Sequence, residues 1–113
     1  METNWNRKLG TLGEDLAVAY LKRCGYEILE RNYRCRYGEI DIIGRKKGVI
    51  DFIEVKTRTG SDYGSPGEAI DHKKMQKIRA TAREYLFSSG ITGTGYGFHA
   101  IEISLRHLED LWT

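Results

Sequence analysis

Residues 38–58 contain two runs in which apolar and charged residues alternate, separated by a short break rich in glycine and lysine. Because side chains on a β-strand point alternately to its two faces, these runs predict two strands joined as a β-hairpin with Lys47 and Gly48 at its tip. In that register Asp41 of the first strand lies directly opposite Glu54 of the second, with their Cβ atoms about 5 Å apart. The hairpin therefore predicts a close pair of carboxylates.

The predicted pairing of Asp41 with Glu54 indicates a metal site. Neighbouring carboxylates repel each other, and a divalent cation between them removes the repulsion. Mg²⁺ is usually bound by one or two carboxylates together with waters and phosphate oxygens, so the pair predicts Mg²⁺ or Mn²⁺ as cofactor. Lys56 shares the predicted strand face of Glu54 and would direct its ammonium group at an anion held by the metal. The set indicates metal-assisted phosphodiester chemistry, although each residue alone is more typical of a solvated strand face.

Residues 4–24 contain apolar residues at steps of three and four, which predicts an amphipathic helix that ends at Gly25. The predicted buried stripe consists of Leu9, Leu12, Leu16, Ala19 and Tyr20. Gly10 and Gly13 weaken a helix, so they predict close packing against the sheet. Glu14 falls on the shoulder of the stripe, where two interpretations are open: a solvated boundary residue, or a carboxylate within reach of a metal at the sheet edge.

The rest of the chain predicts further strands and a second helix. Residues 26–36 predict a strand ahead of the hairpin, and residues 96–104 alternate well enough to predict another after the helix. Residues 57–67 have the composition of a loop. The final residues, 105–113, fit either helical spacing or a closing strand.

The second helix has two candidate starts. Ser65 and Glu68 have the spacing of a capping box, and Asp71 is a second candidate cap. The buried stripe that follows consists of Met75, Ile78, Ala82, Tyr85 and Leu86, and Gly90 marks the end. The other faces of this helix are strongly basic, with Lys73, Lys74, Lys77, Arg79 and Arg83. Such a helix can lie along a phosphate backbone, and it is equally typical of a solvated helix face.

The composition is that of an ordinary globular domain. With 113 residues, 40% hydrophobic and 30% charged, the chain predicts one domain over residues 1–113. The net charge of +2 is too small to indicate a nucleic-acid partner by itself. The first residues have neither the basic start nor the apolar stretch of a secretory signal. No apolar run approaches the ~20 residues of a membrane span. With only Cys24 and Cys35, a cytoplasmic protein with reduced thiols and no membrane partner is expected.

The hairpin residues resemble a known nuclease core. Gly-Glu-Ile-Asp at 38–41 followed by Glu-Val-Lys at 54–56 resembles the Asp…Glu-x-Lys core of restriction-endonuclease-like nucleases, which include Holliday-junction resolvases. Over nearly the whole chain the sequence is similar to the YraN-type family of small bacterial proteins. That longer similarity is carried by Gly10, Gly13-Glu14, Ala17, Gly25-Tyr26, Asn32, Arg34, residues 38–41 and 54–56, Arg58, residues 64–70 and Lys73-Lys74.

The resemblance implies an α/β sandwich of the restriction-endonuclease-like type, with a mixed central sheet of four or five strands flanked by two main helices. It also implies that Glu14 joins Asp41 and Glu54 in the metal site, that Lys56 assists catalysis, and that the last residues form a closing strand. The expected DNA contacts are Arg34, Arg58, Lys73, Lys74 and Lys77. In the family pattern an aspartate usually stands where this sequence has His99.

Two functions from different classes are predicted. The first is a metal-dependent nuclease acting on branched or non-duplex DNA, working as a homodimer like resolvases of this fold. The second is a nucleic-acid-binding module that has the same fold and the basic helix but no significant catalysis, which His99 and the small net charge favour. A protein-interaction domain on the same scaffold is a third alternative.

Overall fold

The computed structural model describes residues 4–59 and 71–112, with side chains from Arg7 onward in the first helix. In chain order the elements are α1 (Asn4–Arg23), β1 (Glu27–Cys35), β2 (Gly38–Lys46), β3 (Val49–Thr59), α2 (His72–Ser88) and β4 (Tyr96–Leu105). The two helices pack on opposite faces of the sheet, each over its own cluster of buried side chains.

The sheet has four strands in the order β1-β2-β3-β4. Strand β2 is antiparallel to both β1 and β3, and β4 runs parallel to β3. This mixed α/β sheet with two helices is consistent with the restriction-endonuclease-like fold and confirms the expected architecture. The prediction of a closing strand at the end of the chain is wrong, because residues 106–112 contain no strand. Their apolar side chains are not buried against the sheet, and Trp112 is 95% exposed.

The hairpin between β2 and β3 forms at the predicted tip. Lys47 and Gly48 have φ values of +51° and +78°. A two-residue hairpin turn needs positive φ at both residues if its twist is to match that of the strands. The ladder pairs Lys46 with Val49 and continues to Ile42 with Ile53. The predicted register is therefore confirmed as far as Ile42, one residue short of Asp41.

The buried face of α1 differs from the predicted stripe. Leu12, Leu16 and Tyr20 are 55–58% exposed, whereas the residues that pack on the sheet are Gly13, Ala17, Val18 and Leu21. The reason lies at Gly13, where an added Cβ would collide with the side chain of Thr57 on β3. At so close an approach only small side chains fit between helix and sheet. The expected close packing is thus present at Gly13, whereas a Cβ added at Gly10 would meet no atom within 4 Å.

The second helix follows the sequence pattern. Asp71 is its N-cap, with a carboxylate oxygen 2.7 Å from the Lys74 backbone nitrogen that donates to it. Ile78, Ala82 and Tyr85 are buried against β2 and β3, as predicted. The candidate capping box at Ser65 lies outside the residues that the structure describes.

Candidate functional site

A cavity of about 650 Å³ opens on the α1 side of the sheet, between the helix and strands β1, β2 and β3. Val55 and Thr57 of β3 form part of its wall. Its charged lining residues are Arg7, Glu14, Arg31, Arg34, Glu39, Asp41 and Arg58. The cavity therefore joins carboxylates and arginines from a helix and three strands.

The backbone is irregular at Asp41. Residues two apart on a regular strand share a face. Ile40, however, belongs to the cluster under α2, and Ile42 to the cluster under α1. The β1 residue opposite Asp41 is Asn32, which has a φ of +54°, a left-handed conformation that asparagine tolerates better than most residues. The alternation of faces thus changes at Asp41, and its side chain lines the α1-side cavity.

Asp41 has a pKa well above that of an ordinary aspartate. Burial is the largest cause, and it raises the pKa from 3.8 to about 6 together with three neighbouring carboxylates, those of Glu54, Glu14 and Glu39. The backbone N–H of Val55, whose nitrogen lies 2.8 Å from Asp41 Oδ2, acts in the opposite direction because it stabilises the ionised form. A bound cation would offset both the cost of burying the ionised carboxylate and its repulsion by the neighbouring carboxylates.

Glu14 lines the same cavity from α1. Its Oε1 accepts a hydrogen bond from Asn32 Nδ2 at 2.8 Å and lies 3.5 Å from the guanidinium of Arg31. Its side chain is only 15% exposed. Glu14 is therefore a held carboxylate beside Asp41 and not a solvated boundary residue.

Glu54 lies on the opposite face of the sheet. Its Oε1 is 2.7 Å from Lys74 Nζ on α2, and it lines a separate cavity of about 230 Å³ that includes Met75 and Ile78. In a regular ladder Asp41 would share this face with Glu54, so the irregularity at Asp41 separates the two side chains. Lys56, two residues further along β3, shares the face of Glu54 and is not among the residues that line the Asp41 cavity; its partner in the ladder with β4 is Glu102.

The carboxylates of Glu14, Asp41 and Glu54 do not form a complete metal-binding site by themselves. Within residues 4–59 and 71–112, no group of three or more His, Cys, Asp or Glu side chains is arranged to hold a metal ion. Glu14 and Asp41 share one cavity, and Glu54 acts on Asp41 through its charge. Because Mg²⁺ usually retains several waters and uses one or two carboxylates, Glu14 and Asp41 fit the needs of a hydrated ion.

The predicted cationic contacts fall into two groups. Arg34 and Arg58 line the cavity with Asp41, paired with Glu39 at 3.3 Å and Glu102 at 3.0 Å respectively. The other three predicted contacts are on α2, across the sheet: Lys73, Lys74 and Lys77. The arginines and the lysines therefore belong to different surfaces.

The sequence matches a model described as Uncharacterised protein family UPF0102 over residues 13–105. The chain belongs to UPF0102. A UPF0102 protein of Clostridium botulinum is 51% identical over 104 residues, which are 91% of this chain and 85% of that protein. A UPF0102 protein of Clostridium acetobutylicum is 45% identical over 105 residues, 93% of this chain and 86% of that protein. These matches confirm the YraN-type resemblance.

The segment that defines membership of UPF0102 contains every charged residue of the cavity except Arg7. Arg7 and Thr57 were not predicted as site residues, because neither stands in a motif and only the close approach of α1 brings them to the cavity. Asn32 belonged to the family resemblance, yet its contact with Glu14 had no signal in the sequence. No helix within the described part of this UPF0102 protein is long and apolar enough to cross a membrane.

Proposed function

We propose that this UPF0102 protein is a metal-dependent nuclease that acts on branched or otherwise non-duplex DNA. The observation that carries the proposal is the setting of Asp41, a half-buried carboxylate with a pKa of about 6 in a cavity lined by four arginines. A carboxylate destabilised in its ionised form gains from a cation. Arginines around it provide the partners that phosphate groups need.

The arginines support a phosphodiester as the substrate. A guanidinium binds phosphate oxygens through two parallel N–H groups, which a lysine cannot do. Arg34 is 75% exposed in its side chain, so its pairing with Glu39 is easily exchanged for a phosphate. Arg58 is only 18% exposed and would hold an anion deeper in the cavity.

Asp41 and Glu14 would hold a Mg²⁺ or Mn²⁺ ion, with Glu54 adding negative charge nearby. When bound, such an ion polarises a phosphoryl oxygen and lowers the pKa of a bound water. The chain's own groups have distinct tasks: Asn32 and Arg31 orient the Glu14 carboxylate, and the Val55 N–H orients that of Asp41. Lys56 shares the opposite strand face with Glu54, so the exposed Arg34, and not Lys56, would neutralise charge that develops on the phosphate.

The decisive experiment is a cleavage assay on four DNA substrates: a four-way junction, a flap, a single strand and a duplex. Each is incubated with Mg²⁺, Mn²⁺ or chelator. We expect metal-dependent cleavage of the branched substrates, and a loss of rate on the order of 10²–10³-fold in Asp41→Asn and Glu14→Gln. Glu27→Gln is the matched control, because Glu27 pairs with Arg45 and does not line the cavity.

Cleavage that persists in chelator, or that is undiminished in Asp41→Asn, would contradict the nuclease. An equal loss in Glu27→Gln would show that the variants act through folding and not through the cavity. Thermal unfolding of each variant, followed by circular dichroism, separates these cases.

A DNA-binding module without catalysis is the second candidate. It is favoured by the ion pair of Glu54 with Lys74, which engages one of the expected metal ligands, and by the lack of a three-ligand group among the described residues. This candidate predicts that junction DNA binds equally well with metal and with chelator and is recovered intact. Asp41→Asn would then bind at least as tightly, since a negative group is removed.

The proposal includes a homodimer, because cutting two strands of a junction calls for two sites. The exposed apolar side chains of Leu12, Leu16 and Tyr20 on α1 support it, since they lie four residues apart on one helix face. Sedimentation velocity is expected to give a dimer for the natural chain and a monomer for Leu16→Lys. A monomer for both would remove the dimer from the proposal and leave the nuclease untouched.

A further inference from the structure

A second surface, on the α2 side of the sheet, combines aromatic rings with arginines. Arg79 and Arg83 lie one turn apart on α2, and Phe87 lies one turn further in the same line. Phe87 is 86% exposed, an unusual position for a ring that could be buried. We call this set the α2 aromatic surface; its members are Tyr37, Arg79, Arg83, Phe87, Tyr96 and Phe98.

One side of the α2 aromatic surface is built on β4. Tyr96 is 58% exposed, and its ring centroid lies 5.9 Å from that of Phe98 in an edge-to-face contact. Phe98 in turn stacks on the buried ring of Phe52, with centroids 5.6 Å apart. The guanidinium of Arg79 lies 5.7 Å from the Phe98 centroid. The core therefore fixes these rings in place, and a ligand need not order them.

The other side is formed by the turn between β1 and β2. Tyr37 in this turn is 39% exposed, and the Arg36 guanidinium lies 4.8 Å from its ring centroid. Tyr37 and Phe87 line a shallow depression of about 380 Å³, which Arg83 also borders. Because Arg83 lines the small cavity beside Tyr96 as well, it connects the two sides into one surface.

The charge of this surface selects an anionic ligand. Two arginines of the surface, Arg79 and Arg83, stand among the rings, and Arg36 lies beside them over the ring of Tyr37. The carboxylate of Glu84 opposes them. Rings with cations between them match a chain of bases joined by phosphates, because every base offers a flat face and every linkage a negative charge. In a duplex the base faces are stacked on one another, so the same rings would have nothing to stack on.

We propose that the α2 aromatic surface binds single-stranded DNA, with bases stacked on Phe87, Tyr96 and Tyr37 and phosphates paired with the arginines. The inference rests on the proposed function for its biological role, since it assigns the unpaired part of a branched substrate to the face opposite the Asp41 cavity. A strand that leaves the cavity would then be held on the other side of the sheet.

The test is a binding titration in chelator, where no cleavage interferes. The anisotropy of a labelled oligothymidylate of about 15 nucleotides, near the upper end of the strand length that a single module covers, is compared with that of a duplex of equal length. We expect tighter binding of the single strand, weakened on the order of tenfold in Phe87→Leu and in Tyr96→Leu, which keep an apolar side chain but lose the ring. Tyr96→Phe, which keeps the ring, is expected to bind like the natural chain.

Trp112→Leu is the matched control, because Trp112 is an exposed ring, with 95% of its surface accessible, and lines neither cavity of the α2 aromatic surface. Phe87→Leu guards against misfolding, since an 86% exposed ring contributes little to the core. Arg83→Gln is expected to lower the dependence of log affinity on log salt by about one phosphate contact, near 0.7 for a single strand. Photo-crosslinking with iodouridine should label the peptides that contain Phe87 or Tyr96.

Binding that is unchanged in both leucine variants, or that favours the duplex, overturns the inference. Failure of the proposed function has a different signature: the ring-dependent binding of single strands persists, while no substrate is cleaved with metal. Conversely, metal-dependent cleavage that needs Asp41 but is indifferent to Phe87 and Tyr96 overturns only the α2 aromatic surface.

Discussion

Two aspartates on adjacent strands of the hairpin have opposite environments. Asp51 on β3 is 6% exposed, accepts a hydrogen bond from the Tyr26 hydroxyl at 2.6 Å, and lies 3.5 Å from His99 Nε2. Asp41 on β2 is half-buried, accepts from the backbone N–H of Val55, and faces a charged cavity. The Asp51 carboxylate is enclosed and has hydrogen-bonding partners, whereas the Asp41 carboxylate is half-buried near three other carboxylates in a cavity that arginines also line.

The difference indicates that the Asp51 carboxylate stabilises the fold and that the Asp41 carboxylate is available for binding or catalysis. The hydrogen bond to Asp51 is the largest cause that raises the pKa of Tyr26 to about 12, so the phenol stays protonated and keeps donating. That bond ties the start of β1 to β3. At Asp41 burial and neighbouring carboxylates raise the pKa instead, a cost that a structural role does not explain and that a bound cation would remove.

The largest effect is expected for Asp51→Ala. The Tyr26 hydroxyl would lose its acceptor in a partly buried place, so the free energy of unfolding should fall by about 2–3 kcal/mol. Urea unfolding followed by circular dichroism measures it. The double variant with Tyr26→Phe should recover part of the loss, because the unsatisfied donor is removed as well. A fall no larger than that of the exposed Glu27→Ala would contradict the structural role of Asp51.

A smaller loss is expected at the cavity end, in Gly13→Ala. The new methyl group would collide with Thr57, and the strain should exceed the gain in helix propensity, for a net loss of about 1–2 kcal/mol. Gly10→Ala is the matched control: it has open space around it and should stabilise the helix by up to about 1 kcal/mol. Changes of opposite sign in the free energy of unfolding of the two variants would locate the close approach of α1 at Gly13. Changes of the same sign would contradict it.

The parts of the fold that depend on local chemistry were predictable from the sequence. The turn at Gly48 and the helix end at Gly25 follow from the positive φ that glycine tolerates, and the cap at Asp71 follows from its side-chain acceptor. The buried stripe of α2 was also correct. These features need only neighbouring residues, so a periodic pattern is enough to find them.

The parts that depend on tertiary contacts were not predictable. Helix α1 has apolar residues on two faces, and the contact of Gly13 with Thr57, far apart in the sequence, decides which face is buried. The same holds for the site. A regular strand would put Asp41 beside Glu54, and the irregular backbone opposite Asn32 changes its face. Counting alternate residues cannot detect one irregular position.

The pH dependence of stability tests the raised pKa of Asp41. The folded-state pKa of Asp41 is raised from 3.8 to about 6. The contribution of Asp41 to the free energy of unfolding is therefore fully present below pH 3.8 and is lost as the pH rises through about 6. Asp41→Asn does not titrate there. Its stability relative to the natural chain should therefore increase by about 1 kcal/mol between pH 4 and pH 7, less than the full shift would give because water screens a half-buried group. Urea titrations at several pH values measure this difference, and a constant difference would contradict the raised pKa.

The smallest effect is expected for His99→Ala, and it tests how much of the enclosure of Asp51 comes from each partner. His99 Nε2 is 3.5 Å from Asp51 Oδ1 and the imidazole is 50% exposed, whereas the Tyr26 hydroxyl is at 2.6 Å. A long, half-exposed pair contributes little, so the free energy of unfolding should fall by no more than about 0.5–1 kcal/mol. Tyr26→Phe should cost more than His99→Ala in the same urea titration, since it removes the short bond to a buried acceptor. If the order were reversed, His99 and not Tyr26 would be the group that keeps Asp51 satisfied, and the family position where aspartate usually stands would be a structural determinant in this chain.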